Sequence, residues 1–132
     1  DAVFKAYTET IAAIKRQYPD LKIVHVTVPL YTHRRGFKGY IKRILKPDLN
    51  NVNRHRYNQL IKKKFQGSDS LYDLARLEST YPDGSRASFL HRGDTFYHLA
   101  NLYTDDGGHL NEIGQFLAAK ELLRVLVETT TP

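Results

Sequence analysis

The run LKIVHVTVP at residues 21–29 is short, rich in β-branched side chains and closed by a proline. Its apolar side chains occupy both alternating faces of an extended chain: Ile23, Val24, Val26 and Val28. A strand that is apolar on both faces is typical of the interior of a parallel sheet, where helices cover each side. The sequence therefore predicts a buried strand over residues 21–28.

The residues before this strand repeat apolar positions with helical spacing. They are Phe4, Tyr7, Ile11, Ile14 and Tyr18. This spacing places them on one face and predicts an amphipathic helix over residues 2–18, which Pro19 and Asp20 end. A helix, a tight turn and a buried strand in succession indicate an α/β fold.

The later residues predict further elements. A second helix is expected over residues 50–65, with an inner face of Tyr57, Leu60, Ile61 and Phe65. A second strand is expected over 70–77, although Leu-Ala-Arg-Leu at its end is also compatible with a helix. Residues 79–95 contain many turn residues and are expected to be loop. A short helical or extended piece follows over 96–102, so that 79–102 forms a variable loop region.

The last predicted element is a helix from Asn111 to about Glu128. Asn111 is a good N-cap residue, and Glu112 in the first turn suits the positive end of the helix dipole. The expected inner face is apolar and consists of Ile113, Phe116, Leu117, Leu122, Leu123 and Leu126.

Length and composition indicate one ordinary globular domain over residues 1–132. The 132 residues are 41% hydrophobic and 26% charged, which is more apolar than a disordered chain. No apolar run approaches the roughly 20 residues of a membrane-spanning helix, so no membrane span is expected. The absence of Cys excludes disulfides, thiolate nucleophiles and Cys-based zinc sites, but it does not fix the compartment.

Positive charge is concentrated in one segment. Residues 33–64 hold eleven Lys or Arg and one Asp, a net charge of +10, while the rest of the chain carries −4. Such a cluster attracts anions, or it is a solvated surface whose Lys and Arg stems cover apolar neighbours. No nucleic-acid-binding motif occurs, so nucleic acid is not an expected partner. The basic loop over residues 31–48 follows the first strand, where open α/β sheets bind ligands.

One segment has the pattern of a catalytic pair: residues 103–114 read YTDDGGHLNEIG. Asp106 stands three positions before His109, on a Gly-Gly turn ahead of the last helix. A general-base imidazole needs its second ring nitrogen held by a carboxylate, and two glycines let one loop supply both groups. Asp105 is the rival carboxylate, four positions before His109. The other interpretation is a Gly-rich turn with an exposed His.

The block DGGHLNEIG, residues 106–114, resembles the last motif block of the SGNH (GDSL-type) hydrolases. The order of the earlier pieces is similar too, with a helix, the LKIVHVTVP strand, an Asn-rich helix and a Tyr-Asp-Leu strand. The resemblance covers nearly all of this chain, but only the C-terminal half to two thirds of a family domain. It implies a flavodoxin-like, three-layer αβα sandwich with a parallel sheet, of which this chain is the C-terminal part.

The resemblance implies ester hydrolysis by a Ser-His-Asp triad, with His109 as general base and Asp106 as its orienting partner. It implies no metal or organic cofactor. The family's nucleophilic Ser, oxyanion Gly and oxyanion Asn belong to earlier blocks, which we expect ahead of Asp1. This stretch alone is therefore expected to be inactive. It would also need its upstream half, or a partner chain, to complete the sheet.

The residues after the first strand are candidates for substrate binding: Tyr31, Arg34 and Arg35. The basic charge around them suggests an acidic small-molecule ester or a carbohydrate ester, such as an O-acetylated glycan. The alternative function belongs to another class, a non-catalytic basic module that binds a polyanion through Lys62, Lys63 and Lys64.

Three further features are given structural interpretations. Ser70, in the run Gly67-Ser68-Asp69-Ser70-Leu71, resembles a scrambled nucleophile block, but it follows a basic helix rather than a buried strand. His25 is expected to be a hydrogen-bonded structural residue. His91 and His98, taken with His109, match no zinc-site spacing, and no metal site is predicted.

Overall fold

The computed structural model describes residues 2–33 and 49–130, in which helices pack against a short parallel sheet. The first half holds helix α1 (Ala2–Gln17), strand β1 (Val24–Val26), helix α2 (Asn50–Phe65) and strand β2 (Ser70–Tyr72). The second half holds helix α3 (Leu74–Ser79), strands β3 (Ser88–His91) and β4 (Asp94–Tyr97), a 3-10 turn (Asn101–Tyr103) and helix α4 (Glu112–Thr130).

Strands β1 and β2 pair in parallel, in a register that runs from Val24 opposite Ser70 to Val26 opposite Tyr72. The His25 ring points to one face of this sheet, where it stacks on Phe65 of α2 at 3.7 Å between ring centroids. Tyr72 points to the other face, and its hydroxyl donates to the carbonyl of Ala118 in α4. The α/β class is therefore confirmed, while the three-layer sandwich stays a prediction.

Both predicted strands are shorter than expected. The first is confined to Val24–Val26, and the second ends at Tyr72 because Asp73 starts a helix. The Asp73 carboxylate accepts the backbone N–H of Arg76 at 3.2 Å, which is a typical N-cap contact. The helical alternative for Leu-Ala-Arg-Leu is thus the one that the chain adopts.

The expected loop over residues 79–95 is wrong in its second half. Strands β3 and β4 form an antiparallel hairpin that closes at the pair His91 and Asp94. Its two-residue turn, Arg92 and Gly93, has positive φ at both positions, as a type I′ turn requires. Residues 96–102, expected as a single short piece, divide between the end of β4 and the 3-10 turn.

The last helix begins where its cap predicts. The side-chain oxygen of Asn111 accepts the backbone N–H of Gly114 at 3.1 Å. Its inner face was predicted only in part: Leu117 packs against the core and Leu122 is partly buried, but the fully buried residues of the helix are Gly114 and Val125. Most of the apolar side chains predicted to be inside are exposed: Ile113, Phe116, Leu123 and Leu126. Leu60, expected on the inner face of α2, is exposed as well.

The main apolar cluster joins the residues after β1 to α3, the hairpin and the 3-10 turn. It consists of Leu30, Ala75, Ala87, Leu99, Ala100 and Tyr103. Most of the basic loop over 31–48 lies outside the described residues. Among the described helices, none has the length and apolar character needed to cross a membrane.

Candidate active site

The side chains of Asp106 and His109 lie together on the loop before α4. His109 Nδ1 is 2.5 Å from Asp106 Oδ2, and the imidazole is 91% exposed. Within the described residues, no hydroxyl is hydrogen-bonded to the other ring nitrogen, Nε2. An imidazole held in this way can take a proton at Nε2 while the carboxylate stabilises the resulting cation.

The loop itself holds Asp106 in place. Its Oδ1 atom accepts the backbone N–H groups of Gly108 and His109, each at 2.8 Å. These bonds, with the one to the imidazole, hold the pKa of the Asp106 carboxyl well below its usual range. The ionised carboxylate in turn raises the pKa of His109 above its ordinary value of 6.5.

Two glycines allow this loop to lie against the segment that follows β1. Gly107 has φ of +88°, and a Cβ atom there would stand 2.6 Å from the Thr32 hydroxyl. A Cβ on Gly108 would lie 3.2 Å from the Tyr31 ring. The backbone N–H of Thr32 donates to the Gly107 carbonyl at 2.9 Å, which fixes the contact. Gly107 is therefore needed for the close approach, while a side chain at position 108 would require the Tyr31 ring to shift by a few tenths of an ångström.

Residues 28–31 are held from the other side by two asparagines of α2. Asn58 accepts the N–H of Val28 and donates to its carbonyl, at 2.7 and 2.9 Å. Asn51 forms the same pair of bonds with Tyr31, at 3.0 and 2.7 Å. Each amide therefore replaces a neighbouring strand for one residue, so the chain after β1 is fixed where the loop of Asp106 and His109 contacts it.

Glu78 of α3 also binds the segment that follows β1. Its carboxylate accepts the N–H of Leu30 at 2.6 Å, and the side chain is almost fully buried. Burial raises the pKa of Glu78 to about 7, because the hydrogen bond from Leu30 and the charge of Arg54 offset only part of the desolvation cost.

Of the predicted substrate-binding residues, the structure brings Tyr31 next to the loop of Asp106 and His109. Its ring lies against Gly108, and the Arg54 guanidinium lies 4.3 Å from the ring centroid. Arg34 and Arg35 lie outside the described residues. Arg54 was not predicted as part of this site, although it lies in the basic segment.

The rival carboxylate and the rival nucleophile are placed elsewhere. The side chain of Asp105 accepts from the amide of Asn111 at 3.4 Å. Ser70 begins β2, at the opposite end of the strands from the segment that contacts the loop of Asp106 and His109, and its hydroxyl accepts from Thr129 at 2.7 Å. Neither residue is hydrogen-bonded to His109 in the structure.

The other histidines have structural surroundings. His25 is fully buried, and its Nδ1 atom lies 2.6 Å from the hydroxyl of Tyr7. His98 is buried beside the Leu99 carbonyl, while the His91 ring meets Phe96 edge-on. Over residues 2–33 and 49–130, no three His, Asp or Glu side chains stand close enough together to hold a metal ion.

Sequence reasoning missed Asn51, Asn58 and Glu78, which position the site. A usable signal existed for the asparagines, since they stand seven residues apart and so share one face of a predicted helix. Both are buried. Glu78 had no such signal, because a Glu in a short helix is normally exposed.

Comparisons with known proteins support the fold alone. No protein-family model matches the chain, and no curated protein matches it significantly. A solved structure described as "a putative platelet activating factor from Streptococcus pneumonia" is similar, with a TM-score of 0.55 and 18% sequence identity. The similarity covers 89% of this chain and 47% of that protein, so the chain spans about half of its length.

Proposed function

We propose that this chain is the C-terminal part of a serine ester hydrolase of the SGNH (GDSL-type) family. The observation that carries the proposal is the imidazole of His109, held at Nδ1 by Asp106 and open at Nε2. The complete domain would be the three-layer αβα sandwich of that family. A pair of this kind contributes about 10²–10⁴-fold to a reaction through general-base catalysis.

In the proposed reaction, His109 Nε2 takes the proton of a serine hydroxyl as the serine oxygen attacks the ester carbonyl. Asp106 holds the ring tautomer and stabilises the imidazolium. The imidazolium then protonates the departing alcohol. Water next attacks the acyl-enzyme carbonyl, His109 takes a proton from that water and returns it to the serine oxygen, and the carboxylic acid is released. The serine and the oxyanion donors would come from polypeptide translated ahead of residue 1.

The similar Streptococcus structure supports this proposal at the level of the fold. It shares the α/β arrangement and is about twice as long as this chain, which leaves room in a whole domain for the missing nucleophile. Its name, a platelet activating factor, does not identify an ester for this chain.

The proposed substrate is an ester with an anionic or carbohydrate portion. Tyr31 and Arg54 form a stacked aromatic and cationic surface beside the catalytic loop, to which Arg34 and Arg35 would add charge. Hydrolysis rates of neutral and anionic aryl esters, compared at low and high salt, test this. If salt changed the two hydrolysis rates equally, the basic residues would have no role in binding an anionic ester.

The catalytic proposal is tested with two proteins, the 132-residue chain and the longer protein that includes the preceding polypeptide. We expect aryl-ester hydrolysis by the longer protein alone, its loss in His109→Ala and a large reduction in Asp106→Asn. Asp105→Asn is the matched control and should retain activity. Hydrolysis by the 132-residue chain, abolished by His109→Ala, would instead place a nucleophile within these residues.

A further inference from the structure

A small cavity lies between α2, α3 and the hairpin, apart from the candidate active site. It has a volume of about 40 Å³ and is lined by three cationic side chains, those of Lys62, Arg76 and Arg86. His55 lines it as well, so four basic side chains from three parts of the fold converge on one space. A water molecule needs roughly 10–15 Å³ of such space, so the cavity is large enough for about three waters or for one small oxyanion.

The positive charge around this cavity is only partly neutralised. Lys62 is paired with Asp73, but no Asp or Glu of the described chain lines the cavity itself. Among the ion pairs of the described residues, none includes Arg76 or Arg86. Two guanidinium groups therefore meet at the cavity without a carboxylate partner in this part of the chain.

Neutral groups fix Arg86 in place. Its Nε and Nη2 atoms donate to the Ser79 hydroxyl at 3.2 and 2.6 Å, and the guanidinium stacks on the Tyr97 ring, 3.4 Å from the centroid. Burial lowers the pKa of Arg86, and the charge of Arg76 also lowers it. A partly buried cation without a carboxylate partner is destabilising, and a bound anion relieves this. A planar guanidinium can donate two parallel hydrogen bonds to a phosphate-type anion.

His55 responds to the same positive charge. Its half-buried ring lies edge-on to Phe96, 5.2 Å between centroids, and 6.0 Å from the ring of Tyr97. Burial lowers the pKa of His55, and the charges of Lys62 and Arg86 lower it further. An anion in the cavity would offset these charges and favour the imidazolium. The titration of His55 is therefore a direct measure of whether the cavity is occupied.

We propose that this cavity binds one tetrahedral oxyanion of the phosphate or sulfate class. Arg76 and Arg86 donate to its oxygens, Lys62 adds a third positive charge, and His55 donates a further hydrogen bond. The cavity also borders Asn58, which holds the segment after β1, so the bound anion stabilises that contact. The site is independent of the proposed function, because neither residue of the candidate pair lines it. Its small volume suits a free ion better than a group carried by a larger molecule.

Titration of the histidines by NMR, in sulfate and in chloride of equal ionic strength, tests the site. Sulfate does not titrate in this pH range, so any difference reports on the protein. We expect sulfate to raise the pKa of His55 and to leave that of His109 as it is in chloride. Equal titration of His55 in the two salts would overturn the proposal. So would a response confined to His109, which would place the anion at the candidate active site.

Substitutions test which cations hold the anion, with the chemical shift of His55 followed against sulfate concentration. Arg76→Gln and Arg86→Gln should each weaken binding by about tenfold or more, because each removes charge-assisted hydrogen bonds. Arg56→Gln removes the same charge from an exposed position of α2 and should bind as the original chain does. Because Arg76 is exposed, its variant keeps the fold even where Arg86→Gln disturbs the contact with Tyr97. Equal losses in all three variants would overturn the proposal.

Inorganic phosphate and phenyl phosphate, compared at pH 8, distinguish the two sources of the oxyanion. Binding of phenyl phosphate that is equal to or weaker than that of inorganic phosphate supports a free ion. Binding of phenyl phosphate that is about tenfold tighter, and is lost in Arg76→Gln, supports the same site as a receptor for a phosphate monoester. Binding of either anion that Arg76→Gln leaves unchanged would overturn the proposal.

Discussion

The Asp106 carboxylate is divided between two tasks. One oxygen accepts backbone N–H groups and shapes the loop, while the other holds the imidazole of His109. Because both side chains are exposed, the pair contributes through its geometry rather than through burial. An amide at position 106 keeps the backbone contacts and removes the charge, which separates the two tasks.

The contact between Asp106 and His109 should be measurable as a change in the pKa of His109, followed by NMR. The ring should titrate above its ordinary pKa of 6.5, since the neighbouring carboxylate raises the pKa. Asp106→Asn should bring the pKa of His109 back toward the ordinary value. Asp105→Asn should leave it raised, because Asp105 contacts Asn111 instead. A titration that follows Asp105 would exchange the roles of the two carboxylates.

Gly107 is constrained by conformation and by space together. Gly84 shares its positive φ, at +84°, but a Cβ there would meet nothing within 4 Å. We expect Gly84→Ala to lower the free energy of unfolding by about 1 kcal/mol through backbone strain alone. Gly107→Ala should lower it by about 2–3 kcal/mol, because Thr32 must also move. Urea unfolding measures both, and equal losses would mean that the close approach carries no cost.

At the scale of the elements, the site depends on the irregular chain after β1 rather than on the sheet. Residues 28–32 bond in turn to Asn58, Glu78, Asn51 and Gly107, which belong to two helices and a loop. Helix α3 thus contributes to the site through one buried carboxyl group, although it carries neither Asp106 nor His109.

Glu78 should make stability depend on pH. Its pKa rises from the ordinary 4.5 to about 7 on folding, so the folded chain binds more protons than the unfolded chain between these values. The free energy of unfolding should therefore fall as pH rises from about 4.5 to 7, by about 3 kcal/mol.

Glu78→Gln keeps an acceptor for the Leu30 N–H and removes this titration. The variant should lose that part of the pH dependence and be more stable than the original chain at pH 8. Glu9→Gln removes an exposed carboxylate and is the control, in which the fall in stability between pH 4.5 and 7 should persist. Urea denaturation at several pH values measures all three proteins, and a Glu78→Gln profile parallel to that of the original chain would contradict the burial argument.

At the scale of the whole molecule, features with a local physical cause could be predicted from the sequence. Asn111 caps α4 as its side chain requires, and Asp106 meets His109 because two glycines turn the chain within three residues. The hairpin was missed because Arg92 stands where such turns usually have Asn or Gly. The inner face of α4 was predicted only in part, because its apolar side chains are spread over more than one face, and Ile113, Phe116 and Leu123 do not lie on the face that meets the sheet.

The positive charge of the molecule is the basis of the alternative function, a basic module that binds a polyanion. Lys63 and Lys64 are exposed at the end of α2, but Lys62 is paired with Asp73, so this cluster presents fewer free cations than the sequence suggests.

We therefore expect heparin to retain the chain only as it retains any protein of net charge +6, through weak and salt-sensitive contacts. The double substitution Lys63→Ala with Lys64→Ala should lower the eluting salt concentration no more than Lys5→Ala with Lys22→Ala, which removes the same charge from exposed positions outside the cluster. A several-fold larger loss for the α2 pair would show a built polyanion site. That result, in a longer protein without esterase activity, would favour the binding module over the hydrolase.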